Sequence, residues 1–146
     1  MKINLSVILP TFNERNNIIP LINQLLNLAE SYEIELIVVD DSSTDGTSAL
    51  VRELAKVDRR VRLINRLGRA GLSSAIKEGC LCATGEVLAI MDTDGQHEVS
   101  SISYGIKKLV EEKLDFVIGS RFLEKSTIKG LSDARKEGSN LANSLA

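Results

Sequence analysis

Two aspartates one residue apart, Asp92 and Asp94, end the apolar run of VLAIMDTDGQHE, residues 87–98. On an extended chain side chains repeat with period two, so both carboxylates are expected on one face. Gly95 lets the chain turn sharply just beyond them. Burying carboxylates without partners is costly, so a protein cation, rim water or a bound metal must compensate them. A hard divalent ion, Mg2+ or Mn2+, suits such oxygen donors and shares its shell with substrate phosphates. A D-x-D by itself is equally the composition of a solvated turn. A second acidic pair, Asp40-Asp41, closes the run LIVV and leads into SSTDGT, which also reads as a strand-exit turn with Ser43 or Thr44 as a helix cap.

These residues need elements to bring them together. Leu5–Leu9 reads as a first strand closed by Pro10. A helix through Ile18, Leu21, Ile22, Leu25 and Ala29 follows, with Asn13 or Asn16 as its expected cap and Pro20 admissible only in its first turn. Leu36–Val39 is apolar on both faces, as an interior parallel strand should be. A helix carrying Leu50, Val51, Leu54 and Val57 comes next, then a short strand over 61–64. A helix through Leu72, Ala75, Ile76, Gly79 and Cys80 leads to a fourth strand, Val87–Met91. A fourth helix over 102–110 and a fifth strand over 116–118, ending at GSR, complete the reading. This alternation predicts an α/β fold with a mainly parallel sheet and helices on both faces. Ligands of such sheets gather beyond the carboxyl ends of the strands. Here those exits are Pro10–Glu14, Asp40–Asp41, Asp92–Gln96 and Gly119–Arg121.

Composition narrows the partners. The 146 residues are 43% apolar and 26% charged with net charge −2 and no Trp, which suits one compact globular domain. No overall field or stacking surface favours nucleic acid. No stretch approaches the ~20 apolar residues of a membrane span. The start, MKINLSVILPTFNE, lacks a small-residue cleavage site and reads as a mature N-terminus rather than a signal peptide. Cys80 and Cys82, two apart in a helical segment, point to different faces and read as small buried hydrophobes of a reducing cytosol.

Taken in order, VILPTFNE, ELIVVDDSSTDGT, RLGRAGLSSAIKEGCLCATGE, VLAIMDTDGQH and DFVIGSRF resemble the family 2 glycosyltransferases of GT-A fold, and most closely their dolichyl- and polyprenyl-phosphate branch. The similarity runs from about Ser6 to Asn140. It implies that Pro10, Phe12 and Glu14 line a base and ribose pocket, with Val39 and Asp41 against the base and the Asp41 carboxylate accepting from a ring N–H. Phe12 stands where Tyr is more usual, so a ring contact survives without a hydroxyl. Asp92, Thr93 and Asp94 match the D-x-D segment at the ribose and the metal-bound diphosphate, and Gln96 a further ligand on the metal side. His97 matches a position often His and reads as a structural hydrogen-bonder. Glu98 stands where Pro is common. Arg121 matches the Arg of a G-[ST]-R motif and Arg135 a basic position that meets phosphate, a task the guanidinium fork suits. GRAGLSSA would flank the diphosphate, with Gly68 and Gly71 giving close backbone approach.

The resemblance implies inverting transfer of a sugar from a GDP- or UDP-linked donor, with Mg2+ or Mn2+ held by Asp92, Asp94 and Gln96, and with Asp94 and Arg121 as the catalytic pair. A lipid monophosphate, with a second pKa of about 6, is largely dianionic and attacks without a base, whereas a saccharide hydroxyl needs one. The polyprenyl-phosphate branch favours the first acceptor; a saccharide hydroxyl is the alternative. Family domains run well past residue 146. The expected organisation is therefore one domain over 1–146, with the nucleotide-sugar half in 1–98 and the start of an acceptor half in 99–146. The chain is expected to work in the cytoplasm or peripherally at the membrane face, as a transferase completed by self-association or a partner chain. A non-catalytic module that binds nucleotide and metal is the other class.

Overall fold

The computed structural model describes residues 2–68 and 71–119. Four strands, β1 (Ile3–Thr11), β2 (Tyr32–Asp40), β3 (Val61–Asn65) and β4 (Val87–Ile90), form one sheet in the order β3-β2-β1-β4. Every pairing is parallel: Leu5 lies opposite Ile34 and Val87, and Leu36 opposite Val61. The helices are α1 (Ile18–Leu26, followed by a 3-10 turn over Asn27–Glu30), α2 (Thr47–Val57), α3 (Leu72–Cys82) and α4 (Ser100–Glu111).

Period two along β1 and β2 divides the core between the two faces. Leu5, Val7 and Leu9 with Leu36 and Val38 pack against Ile18, Ile22 and Leu25 of α1, Val51 of α2 and Ile102 and Ile106 of α4. The alternate residues Ile8, Ile37 and Val39 form a second cluster with Ala75 of α3. Here α3 approaches so closely that a Cβ on Gly79 would sit 2.5 Å from Ile8 Cγ2, so glycine alone fits this crossing. Leu88 and Ile90 of β4 share that face but lie beyond the cover of α3 and are about half exposed.

The expected order of elements is present through α4, with Pro20 in the first turn of α1. Residues 116–118 are a correction: they form no strand, and Phe116 and Ile118 are exposed. Three apolar residues do not make a strand without a neighbour to pair with. The caps also differ. Asn17 precedes α1 without a side-chain cap, and Asp45 Oδ1 accepts the Thr47 N–H at 3.0 Å at the start of α2. Cys80 and Cys82 are free thiols, half-buried against the Ile8 cluster rather than fully inside.

At the amino end of the sheet Glu35 ties four segments together. Its Oε1 accepts from Ser6 Oγ at 2.6 Å, Thr84 N at 2.7 Å and Thr84 Oγ1 at 2.8 Å, and its Oε2 from Arg62 Nη1 at 2.9 Å. Ser6 Oγ in turn accepts from Gly85 N at 2.8 Å. Burial pushes this carboxyl up, but the donors from Ser6, Thr84 and Arg62 outweigh it and hold the pKa at about 2 against an ordinary 4.5. A depressed folded-state pKa contributes stability above the unfolded value that is lost as pH falls through the folded one. Glu35→Gln should therefore cost about 1–2 kcal/mol at pH 7, a figure that allows for solvent screening at the rim. The gap to the parent should close as pH falls from about 4.5 toward 2. Urea titrations at pH 7 and pH 3 check this; an equal gap at both would show that the charge is idle.

Candidate functional site

The carboxyl ends of β1, β2 and β4 meet at one edge. Asn13 (φ +56°) and Ser42 (φ +59°) turn the chain out of β1 and β2 through the left-handed region, which Asn tolerates better than most residues. Hydrogen bonds between the two exits hold them there. Asn13 N donates to Ser43 Oγ at 2.8 Å, Thr44 N to Asn13 Oδ1 at 2.9 Å, Glu14 N to Thr47 Oγ1 at 3.0 Å and Arg15 N to Asp45 Oδ2 at 3.0 Å.

Adjacent aspartates at the β2 exit take opposite roles. Asp40 is fully buried, and its carboxylate accepts from Ser43 N at 2.9 Å and from Ser43 Oγ and Ser48 Oγ, each at 2.5 Å. Asp41, one residue on, faces a shallow cleft of about 130 Å³ lined by Pro10, Thr11, Phe12, Asp41, Leu72 and Ala75. Its Oδ1 pairs with Arg66 and its Oδ2 accepts from Gly71 N at 2.8 Å. A larger groove at the opposite end of the sheet, lined by Lys2, Ile3, Asn4, Glu33 and Glu86, is remote from every strand exit.

The structure brings Pro10, Phe12 and Asp41 together around the cleft, with the Phe12 ring exposed and free to stack. Val39 lies beneath it, its side chain buried in the α3 cluster. Glu14 is not in the cleft lining; its Oε2 accepts from Asn17 Nδ2 at 2.7 Å. Thr93 is buried and donates from Oγ1 to the Pro10 carbonyl at 3.3 Å, which fastens the β4 exit to β1. Thr93 is buried while Asp92 and Asp94 on either side of it are exposed, although this segment lies beyond the end of β4.

Asp92 and Asp94 are exposed rather than buried, so water solvates them and no internal cation is needed. Asp92 Oδ2 lies 3.8 Å from His97 Nε2, and Asp94 Oδ1 accepts from the backbone N of the half-buried Gln96 at 3.0 Å. No group of three His, Cys, Asp or Glu suited to a metal occurs among the described residues. Two open carboxylates beside an amide fit a hard ion that takes its remaining ligands from water and phosphate, and do not fit an all-protein cage. Arg121 and Arg135 lie outside the described residues. The reading from sequence passed over Arg66, although β3 has its own exit at Asn65-Arg66 on this same edge.

The parallel sheet with helices on both faces is the Rossmann-like arrangement of the GT-A fold, and the edge described above is where that class holds its ligands. Residues 6–144 match glycosyl transferase family 2, and the chain belongs to that family. It is 36% identical over 131 residues to a dolichol-phosphate mannosyltransferase of Pyrococcus furiosus, covering 90% of this chain and 37% of that protein. It is 35% identical over 144 residues to a polyprenol monophosphomannose synthase of Mycolicibacterium smegmatis, covering 96% of this chain and 53% of that one. The chain thus spans between about a third and a half of these relatives. A mannosyltransferase of Pyrobaculum calidifontis, solved with GDP-Man and Mn2+, superposes with a TM-score of 0.57 at 31% identity over 75% of this chain and 33% of its own. Glucosyl-3-phosphoglycerate synthase of Mycobacterium tuberculosis shares the fold with a TM-score of 0.57 at 22% identity, over 73% of this chain and 39% of that one. No helix among the described residues is long and apolar enough to cross a membrane.

Proposed function

We propose that this chain carries the donor-binding part of a metal-dependent, inverting glycosyltransferase that moves a sugar from a GDP- or UDP-linked donor to a polyprenyl phosphate. The observation that carries the reading is the meeting, at one sheet edge of a family 2 chain, of the Pro10–Phe12–Asp41 cleft with the exposed Asp92 and Asp94 carboxylates. The polyprenyl acceptor is supported by two relatives whose names state that chemistry.

In this reading Phe12 stacks on the base and Asp41 accepts its ring N–H. Asp92 orients the ribose, and Asp94 with Gln96 faces the diphosphate; Val39, Glu14 and Thr93 shape the cleft from beneath and beside it. Mg2+ or Mn2+ held by Asp92, Asp94 and Gln96 would act as a Lewis acid that neutralises charge on the departing diphosphate. Arg121 and Arg135 add charge-assisted hydrogen bonds to phosphate. The donor is held with its anomeric carbon toward the acceptor, whose dianionic phosphate attacks without a dedicated base. Residues 1–98 would serve the donor and 99–146 begin the acceptor side of one domain. An acceptor of this kind places the work at the cytoplasmic membrane face.

Incubation with labelled GDP-mannose or UDP-glucose, Mn2+ and a short polyprenyl phosphate in detergent tests this. Label should move into the organic phase with one donor. Label on an added saccharide, with none on the lipid phosphate, would replace the acceptor in this reading.

A further inference from the structure

Among the described residues Arg66 is the largest fully buried side chain, 1% exposed, directly after β3. Nothing so polar is buried without a full set of partners. Its Nη1 pairs with Asp41 Oδ1 and lies 3.3 Å from the Gly71 carbonyl; its Nη2 donates to Ser74 Oγ at 2.5 Å and its Nε to Glu78 Oε2 at 3.2 Å. One guanidinium therefore grips the β2 exit, the N-cap of α3 and the second turn of α3. Arg66 does not line the cleft, yet Asp41 lines it, and so do Leu72 and Ala75, the neighbours of the gripped Gly71 and Ser74.

The Asp41 side chain is 12% exposed. An ionised carboxylate has about four lone-pair sites and no proton to give. Arg66 and Gly71 N–H take two of them, which leaves acceptor capacity toward the cleft and no freedom to rotate. A planar fork fixes orientation in a way that a lysine ammonium does not. We propose that Arg66 is the positioning residue that makes this cleft discriminate among nucleobases. It holds Asp41 as a fixed, acceptor-only wall that admits a base with a ring N–H, guanine or uracil, and refuses one with a ring lone pair there, adenine or cytosine. The inference rests on the nucleotide-donor reading above and adds the residue that sets its base selectivity. A ring lone pair against that wall leaves two acceptors facing each other with no proton between them, a mismatch of the kind that gives large discrimination.

Calorimetric titration of GDP, UDP, CDP, ADP and inorganic diphosphate, each with Mn2+, tests the proposal. The parent should favour GDP or UDP over CDP and ADP by about tenfold or more. Arg66→Gln should bring the four nucleotides within about threefold of one another while inorganic diphosphate moves by less than about twofold. A merely structural role would weaken diphosphate in step with the nucleotides, and that result overturns the proposal. Arg66→Lys keeps the charge and carries the same test where Arg66→Gln does not fold, since an ammonium does not reach Asp41, Ser74 and Glu78 together. A folded variant with the parent's preference intact overturns it as well. Equal binding of all four nucleotides by the parent overturns this inference alone, and no binding of any overturns the donor reading with it.

Discussion

Asp94→Ala should abolish the Mn2+-dependent rise in melting temperature that GDP or UDP gives the parent, while the ligand-free protein melts almost unchanged. A ligand that binds only the folded state stabilises it by RT ln(1 + [L]/Kd), about 2.7 kcal/mol at a hundredfold excess over Kd. The effect is therefore large against the ~0.5 kcal/mol expected of most exposed substitutions. Asp94 is exposed, and among the described residues its carboxylate accepts the Gln96 N–H at 3.0 Å, so little of the described fold depends on it. Its open oxygen and that of Asp92 are what a hard cation would use. Differential scanning with GDP and UDP, each with and without Mn2+, reads the result. Stabilisation that survives Asp94→Ala, or that ignores Mn2+, would move the cation away from this pair.

The second large effect is on stability. Asp40→Ala should cost about 3–4 kcal/mol, because the carboxylate has no access to water and three donors aim at it. Removing it strands the buried Ser48 hydroxyl, takes the acceptor from the half-buried Ser43 N–H and hydroxyl, and leaves a void beside them. The damage should also reach the ligand edge, since Ser43 Oγ holds Asn13 N and thus the turn that presents Phe12. Urea unfolding measures the loss. A cost under about 1 kcal/mol would mean that the two hydroxyls re-pair with each other and that the charge was dispensable.

These two aspartates show what the sequence could and could not disclose. The alternation of strands and helices was legible because each apolar run has its own period and each ends in a turn of recognisable chemistry. The common edge of the strand exits was legible for the same reason: parallel strands put all their exits on one side. Which of Asp40 and Asp41 faces inward was not, because that depends on the parity of β2, and a one-residue shift exchanges the two roles. Asp92 and Asp94 were read as a pair in need of compensation; their exposure removes that need, and it is Thr93, between them, that is buried. Arg66 was passed over because a lone arginine after a short strand looks like a surface charge. Only the folded chain shows four polar groups, from the β2 exit and from α3 with its N-cap, closing around it. The strand expected at 116–118 failed for the complementary reason, since local hydrophobicity does not supply a partner.

The place of β1 in the sheet bears on how the molecule is made. It is one of the two interior strands, flanked by β2 on one side and β4 on the other. Its second neighbour leaves the ribosome late: the contact from Gly85 N to Ser6 Oγ spans 79 residues. Until then β1 has one bare backbone edge and part of its apolar face without cover, the state in which nascent chains associate wrongly. Synthesis at about 5–20 residues per second makes this a window of several seconds. The edge that draws on the β1, β2 and β4 exits cannot exist before that window closes, so a ligand of that edge would have no means of rescuing the early chain.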